Sequence, residues 1–201
     1  ASPAQLVLID TTSPALPQLL GSVDLPSDQV GGVASSGRLA FVADGPAGVV
    51  VVDFKNPAAP QRIAVVPTVG AARDVAVAGQ TLWVAADTAG LRALDLGSPT
   101  LRELGFVALP GAAERVALEG GRAFVGCASP GAPLAVVDVG SSAAPVLLSL
   151  LPMTPARKDL SSPRVDAVAA AGQVVASTSV AFDQGGAAQK SLMSVSRLLA
   201  N

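Results

Sequence analysis

Val49-Val-Val-Val-Asp53 is a run of β-branched residues closed by an aspartate, and the chain keeps returning to that ending. Asp10, Asp53, Asp95 and Asp138 close aliphatic runs at intervals of 43, 42 and 43 residues. A fixed period of about that length, in units built from short apolar strands and Gly/Pro turns, predicts an all-β fold of stacked four-stranded antiparallel sheets, the blades of a β-propeller. Other landmarks keep the same register. Prolines follow the aspartate at Pro14 and Pro17, at Pro57 and Pro60, at Pro99 and at Pro145, with a further proline at Pro26, Pro67, Pro110 and Pro152. Between these turns lie stretches of strand length, such as Ile63-Ala-Val-Val, Val75-Ala-Val and Thr81-Leu-Trp-Val-Ala, so each unit reads as four strands.

Within a unit the third strand, written Leu6-Val-Leu-Ile-Asp10, Val49 to Asp53 and Leu134-Ala-Val-Val-Asp138, is apolar without alternation. That is the pattern of a strand covered on both faces. Phe41, Trp83 and Phe124 recur on the second strands and are expected to fill the space between adjacent sheets; a stacking ladder for a sugar or base is the competing use of such rings. Gly37, Gly79 and Gly120 precede them, at turns where positive φ is cheap only for glycine. Four carboxylates in register invite a catalytic or metal reading. An aspartate followed by proline-rich residues is, however, a turn-initiating arrangement in which the carboxylate accepts backbone N–H bonds from the next residues.

These residues resemble the LVIVD repeat, a bacterial and archaeal β-propeller repeat named for the third-strand run seen here at Leu6–Asp10, Val49–Asp53 and Leu134–Asp138. The strand that precedes it in that family is visible as Phe41-Val-Ala-Asp44 and Trp83-Val-Ala-Ala-Asp87, so the resemblance covers residues 6 to 152. Further on, Ser196 stands where aspartate is expected, at a spacing of 58 residues. The resemblance implies a propeller blade of a kind often found in secreted or cell-surface proteins. It carries no defined activity or catalytic residue.

The units divide as a partial blade at 1–27, blades at 28–69, 70–110 and 111–152, and a divergent blade with loop insertions at 153–201. Counting strands gives the last two of one blade, three whole blades and three strands of the divergent unit, including Leu192-Met-Ser-Val-Ser. A closed four-blade ring leaves that last strand surplus, so an open segment of a larger propeller is the favoured expectation. Such a segment exposes apolar sheet faces at its ends. The chain starts Ala-Ser-Pro in mid-repeat, as a processed product or an excised piece would.

Half of the 201 residues are apolar, enough for a core, but they are mostly Ala, Val and Leu, with five Phe, one Trp and no Tyr. The net charge of −2 and the absence of a basic run disfavour nucleic acid as a partner. No run of 18 apolar residues suggests a transmembrane helix. Cys127, the single cysteine, lies in a strand-like apolar run and is expected to be a buried structural thiol. With no histidine, the usual base of a Ser or Cys nucleophile and the commonest transition-metal ligand are missing. The glycine pairs at Gly120 and Gly185 lack the strand-then-helix setting of a phosphate loop.

Two loop expansions in the last unit, at 153–163 and 182–190, fall on the face that carries the loops after strands two and four. Insertions clustered on one face commonly mark the binding side of a repeat protein, although they also serve to cap an array or meet a neighbouring domain. The same face holds the starts of the inner strands, with Arg73 and Asp74, Glu114 and Arg115, and Arg164 and Asp166. These six form the candidate channel-mouth ligand face, and Asp74 is expected to pair with Arg115 across adjacent blades. The resulting expectation is a non-catalytic interaction or scaffold module of a larger bacterial surface or secreted protein. It binds a protein or glycan, with no cofactor and with further blades or domains of the same polypeptide beside it. The alternative is a propeller hydrolase or lyase using carboxylates at the channel mouth, with calcium held by residues such as Asp44, Asp87 and Asp183.

Overall fold

The computed structural model describes residues 4–128, 134–151, 161–171, 174–182 and 188–197, with side chains in the last three stretches described only at 168–170. Seventeen strands and no helix occur among these residues. The first sheet has two strands, β1 (Gln5–Asp10) and β2 (Gln18–Asp24). Three four-stranded sheets follow: β3 (Val33–Ser36), β4 (Leu39–Ala43), β5 (Val49–Asp53) and β6 (Gln61–Val66); β7 (Asp74–Ala78), β8 (Thr81–Ala85), β9 (Leu91–Asp95) and β10 (Glu103–Val107); β11 (Ala112–Glu119), β12 (Arg122–Ala128), β13 (Leu134–Asp138) and β14 (Val146–Leu151). The fifth sheet holds β15 (Ser161–Ala171), β16 (Val174–Phe182) and β17 (Ala188–Arg197), so the expected strand at Leu192 is the middle of β17. Every pairing is antiparallel between strands consecutive in the chain. Among the described residues the sheets are stacked in chain order and are not closed into a ring.

Local chemistry explains the meander. The turns into β4, β8 and β12 pass through Gly37, Gly79 and Gly120 at φ of +58°, +57° and +55°, where a side chain costs about 1–2 kcal/mol. After the third strand of each unit, one aspartate oxygen takes the N–H two residues on: Thr12 to Asp10, Lys55 to Asp53 and Gly140 to Asp138 at 2.8 Å, and Gly97 to Asp95 at 2.9 Å. The four recurrent carboxylates are turn formers.

The core is a series of apolar seams between sheets. Phe41, Ala43, Val49 and Val51 of the second sheet meet Val75, Leu82, Val84 and Leu94 of the third. Trp83, Leu91 and Ala93 on the other face of the third sheet meet Val116, Val125 and Val137 of the fourth. Phe124, Leu134 and Val136 then meet Val168 and Ala170 of β15. One ring therefore fills each of these three seams, and Phe41, Trp83 and Phe124 are at most 2% exposed. Cys127 is buried in the second of these seams, and burial pushes its thiol pKa up to about 11, which makes it an inert core residue.

One third strand departs from expectation. β5, β9 and β13 are buried along their length to the aspartate, but β1 alternates. Leu6 packs with Val23 and Leu25 on the second sheet, whereas Val7 and Ile9 are 45% and 56% exposed. Their register counterparts Val50 and Val52 are fully buried because the first sheet covers them. Among the described residues no sheet covers the outer side of β1, so its apolar run faces solvent on that side.

Replacing Trp83 by alanine removes the ring from the seam between the third and fourth sheets. It is expected to destabilise the protein by roughly 3–5 kcal/mol in a denaturant titration. An effect below about 1 kcal/mol would contradict the role assigned to the ring.

Candidate functional site

Where each inner strand begins, two residues stand opposite one on the second strand. Gly31 donates its N–H to the Ala43 carbonyl while Ala43 donates to Gly32, and Arg73 donates to the Ala85 carbonyl while Asp74 pairs with Ala85. In the fourth sheet the register slips between Ala113 and Arg115, leaving Glu114 as the extra residue and Arg115 opposite Gly126. Such bulges turn side chains out of the ladder and toward a rim. They put Gly31, Arg73 and Glu114 in one row across three sheets, and Gly32, Asp74 and Arg115 in the next.

The two glycines allow close stacking. A methyl group on Gly31 would fall on the Arg73 carbonyl, and one on Gly32 would fall on the Asp74 carboxylate. Asp74 is tied forward as well: Oδ1 accepts from Val75 N at 2.9 Å, and Oδ2 from Val116 N at 2.9 Å. One carboxylate thus touches the second sheet and is bonded to the fourth. Burial raises its pKa, against the opposing effect of these two N–H donors and of the nearby Arg115 charge. Asp74 thus gives both oxygens to backbone N–H groups, that of Val116 on the neighbouring sheet among them. The Arg115 guanidinium donates to the Glu114 carbonyl at 2.7 Å and acts on Asp74 through its field.

Arg73 sends Nε and Nη2 to Oδ2 of Asp87 at 3.0 and 2.6 Å. Asp87 lies in the loop between β8 and β9 at φ +52°, and its backbone bridges to Ala113 of the next sheet. Gly45 does the same one unit earlier, at φ +51° and bridged to Ala72. Asp87 is thus the counterpart of Gly45, one place out of step with Asp44, although both aspartates end a Val-Ala-Asp-like run. These bridges put the loops after strands two and four on one face.

On that face Gln29, Val30, Gly31, Arg73, Glu114 and Arg115 line a cavity of about 250 Å³. Three of the six sequence-selected residues, Arg73, Glu114 and Arg115, line it, and Asp74 lies beneath as a brace. Arg164 and Asp166 belong to β15, and their side chains lie outside the described residues. Of the two expansions, 161–163 opens β15, Phe182 ends β16 and 188–190 opens β17; residues 153–160 and 183–187 lie outside the described residues. A second cavity, of about 330 Å³, is lined by Asp53, Lys55, Asn56, Ala59 and Gln61 around the turn that follows β5.

Of the carboxylates suggested for calcium, the two that are described are engaged separately. Asp87 is held by Arg73, Asp44 accepts from Ser27 N at 3.1 Å, and Asp183 lies outside the described residues. Among the described residues no group of three His, Cys, Asp or Glu side chains is placed to hold a metal ion. Asp44 is fully buried with Oδ1 unpartnered, and burial, partly offset by the Ser27 N–H, raises its pKa.

Sequence reasoning passed over Arg92, a charge inside a third strand. It is buried against Glu103, with Nη1 3.1 and 3.2 Å from the two carboxylate oxygens, donates Nε to the Ala89 carbonyl, and lies 4.4 Å from the Phe106 ring centre. Its signal was legible, since the counterparts Val50 and Ala135 are apolar and Glu103 and Phe106 lie on the strand that pairs with its own.

A family profile described as the LVIVD repeat matches residues 29–68, 69–103 and 110–150. There is no match among curated proteins. Among solved structures, a functionally unknown protein from Desulfotomaculum acetoxidans superposes with a TM-score of 0.67 at 14% identity, over 93% of this chain and 62% of that one. The computationally designed Ika4 protein superposes with a TM-score of 0.58 at 15% identity, over 87% of this chain and 93% of that one. BamB from Moraxella catarrhalis gives 0.57 at 12% identity, over 87% of this chain and 56% of that one. The chain thus spans somewhat over half the length of the two natural proteins, and at such identities the likeness is one of fold, that of a β-propeller.

Asp44 supplies a test of the electrostatics. Its folded pKa lies above the unfolded value of about 4, so its contribution to stability is full below pH 4 and is lost as pH rises through the folded pKa. Asp44→Asn keeps an acceptor for Ser27 N and removes the buried charge. Thermal melts are expected to show the variant gaining on the wild type between pH 4 and pH 7. A difference independent of pH, or one that shrinks as pH rises, would contradict the assignment.

Proposed function

This chain belongs to the LVIVD repeat family, and from that premise we propose that it is a non-catalytic interaction module within a larger bacterial surface or secreted protein. Its partner, a protein or a glycan, docks on the face formed by the loops after the second and fourth strands. The observation that carries this reading is how the conspicuous polar side chains are spent. Asp10, Asp53, Asp95 and Asp138 shape turns, Asp74 ties the third sheet to the fourth, Arg73 holds Asp87 in the loop of its own sheet, and Arg92 and Glu103 neutralise each other within one sheet. A catalytic group needs its proton or lone pair directed at a substrate, whereas these are directed at backbone and at one another. A repeat propeller suits a generic scaffold, a rigid body whose loops vary at little cost to the core.

The docking face is assigned from the expansions at 153–163 and 182–190, which break the regularity of the repeat on that side. Neighbouring blades of the same polypeptide are a second expected partner, in keeping with the half-exposed apolar side chains of Val7 and Ile9.

Deleting residues 154–160, which leaves β15 whole, tests the assignment. The variant is expected to melt as the wild type does. It should no longer retain, on a glycan array or in a cross-linked pull-down from cell-surface extract, the species that the wild type retains. Retention of the same species by the deletion variant would overturn the docking face.

A further inference from the structure

We propose that the free edge of β1, together with Val33 and Val30 of the second sheet, accepts a β-strand carrying an aromatic ring, supplied by an adjoining repeat of the same polypeptide. The inference rests on the reading of neighbouring blades as partners, and it names the segment they contribute and the residues that receive it.

The other units show what this site is shaped to hold. Phe41, Trp83 and Phe124 stand on second strands opposite Val51, Ala93 and Val136, in each unit two residues before the turn aspartate. Each ring enters the seam that its own sheet makes with the next. Phe41 shares its seam with Val75, and Trp83 shares its seam with Val116. Val33, Val75 and Val116 are register equivalents, opposite Val42, Val84 and Val125. Val75 and Val116 are buried, whereas Val33 is 56% exposed. In the first sheet the place equivalent to Phe41 lies opposite Leu8, beside a strand that pairs only with β2 among the described residues. Phe54 borders this seam, but from the place after the turn aspartate that Leu96 and Val139 hold in the next units.

The loop after the second strand points the same way. Gly45 bridges to Ala72 and Asp87 bridges to Ala113, and both alanines are fully buried. Val30 is their counterpart in the second sheet. It is 37% exposed, and among the described residues no such bridge reaches it. A ring over Val33 and a loop bridged to Val30 are two parts of one segment, a second strand followed by its loop.

The edge of β1 is suited to receive that segment. The outer strands β2, β6, β10 and β14 each carry an extra residue, Leu20, Ile63, Leu104 and Leu148, that breaks the ladder. Such bulges blunt an edge against further pairing. In the first sheet the extra residue lies on β2, so β1 itself stays regular, and Leu6 to Ile9 contain no charge and no proline. A regular apolar edge beside apolar side chains adds a strand through main-chain hydrogen bonds and selects it through its side chains. A second copy suits the edge poorly. Antiparallel β1–β1 pairing keeps Leu6 of both copies on one side, where each two-stranded sheet is already covered by a sheet four strands wide, so the two covering sheets compete for the same space.

Calorimetric titration of the full chain with a synthetic peptide of residues 33–48, which carries the first two strands of the second unit and the loop after them, tests this. The peptide is expected to bind saturably and to slow amide hydrogen exchange within Gln5–Asp10, with no change along β6, β10 or β14. Phe41→Ala in the peptide should weaken binding about tenfold or more, because the seam then receives no ring. Val33→Asp in the chain should weaken it comparably, while Val65→Asp on an outer strand leaves it unchanged. Melting curves of the chain variants separate a binding defect from a folding one, and the peptide variant leaves the chain itself unaltered.

Absence of saturable binding overturns the proposal, and so does binding indifferent to Phe41→Ala or protection that falls on an outer strand. Dimerisation of the chain alone with protection of Gln5–Asp10 gives the edge to a second copy and also overturns it. A neighbouring sheet laid on Val7 and Ile9 uses the face of β1 and not its edge, so failure of the strand site and failure of the neighbouring-blade reading are told apart.

Discussion

Everything else in this molecule depends on third strands being buried from both sides. Val49–Val52, Leu91–Leu94 and Leu134–Val137 cannot be kept from water by their own sheets, because a sheet has two faces and these strands are apolar on both. Each sheet therefore needs a neighbour before it and after it, and the repeat supplies them at a constant interval. Small side chains let the sheets approach, and one ring per seam fills what they leave. The same requirement explains why β1, which has the sequence of a sandwiched strand, shows Val7 and Ile9 to solvent where no second neighbour is present among the described residues.

The polar residues act within limits set by that stacking. Once sheets are pressed together, backbone groups at their rims have lost water and need partners, which is why Asp74 bonds to Val116 N of the following sheet while lying on Gly32 of the preceding one. Arg73 and Asp87 link an inner strand to the loop of its own sheet, and that loop is bridged to the next sheet. The rim is thus built from interactions that cross units. A cavity lined by three units is a by-product of this geometry.

Much of this was readable along the chain because a repeat shows the same constraint several times. The turn role of Asp53 and its counterparts, the seam-filling role of Trp83 and the positive φ at Gly79 each rest on contacts within one unit, so spacing was sufficient to expose them. Asp44 and Asp87 show where this fails. Both end a Val-Ala-Asp-like run, but the extra alanine before Asp87 shifts it by one position, which sends one carboxylate into a buried corner and the other to Arg73.

The sequence by itself determined the strand order, the period, the turn residues and the apolar seams, since these follow from local propensity and from apolar runs and turn residues repeated about every 42 residues. Only the tertiary structure decided which charges meet. The repeat register placed Arg73 and Glu114 on one face, but that Gln29 joins them at one cavity and that Arg73 turns to Asp87 follow from the bulges and the sheet-to-sheet spacing, neither of which leaves a mark in residue type. Tertiary structure alone also decided that Asp74 accepts from the Val116 N–H of the next sheet. The orphaned donor exists only after two sheets have come together.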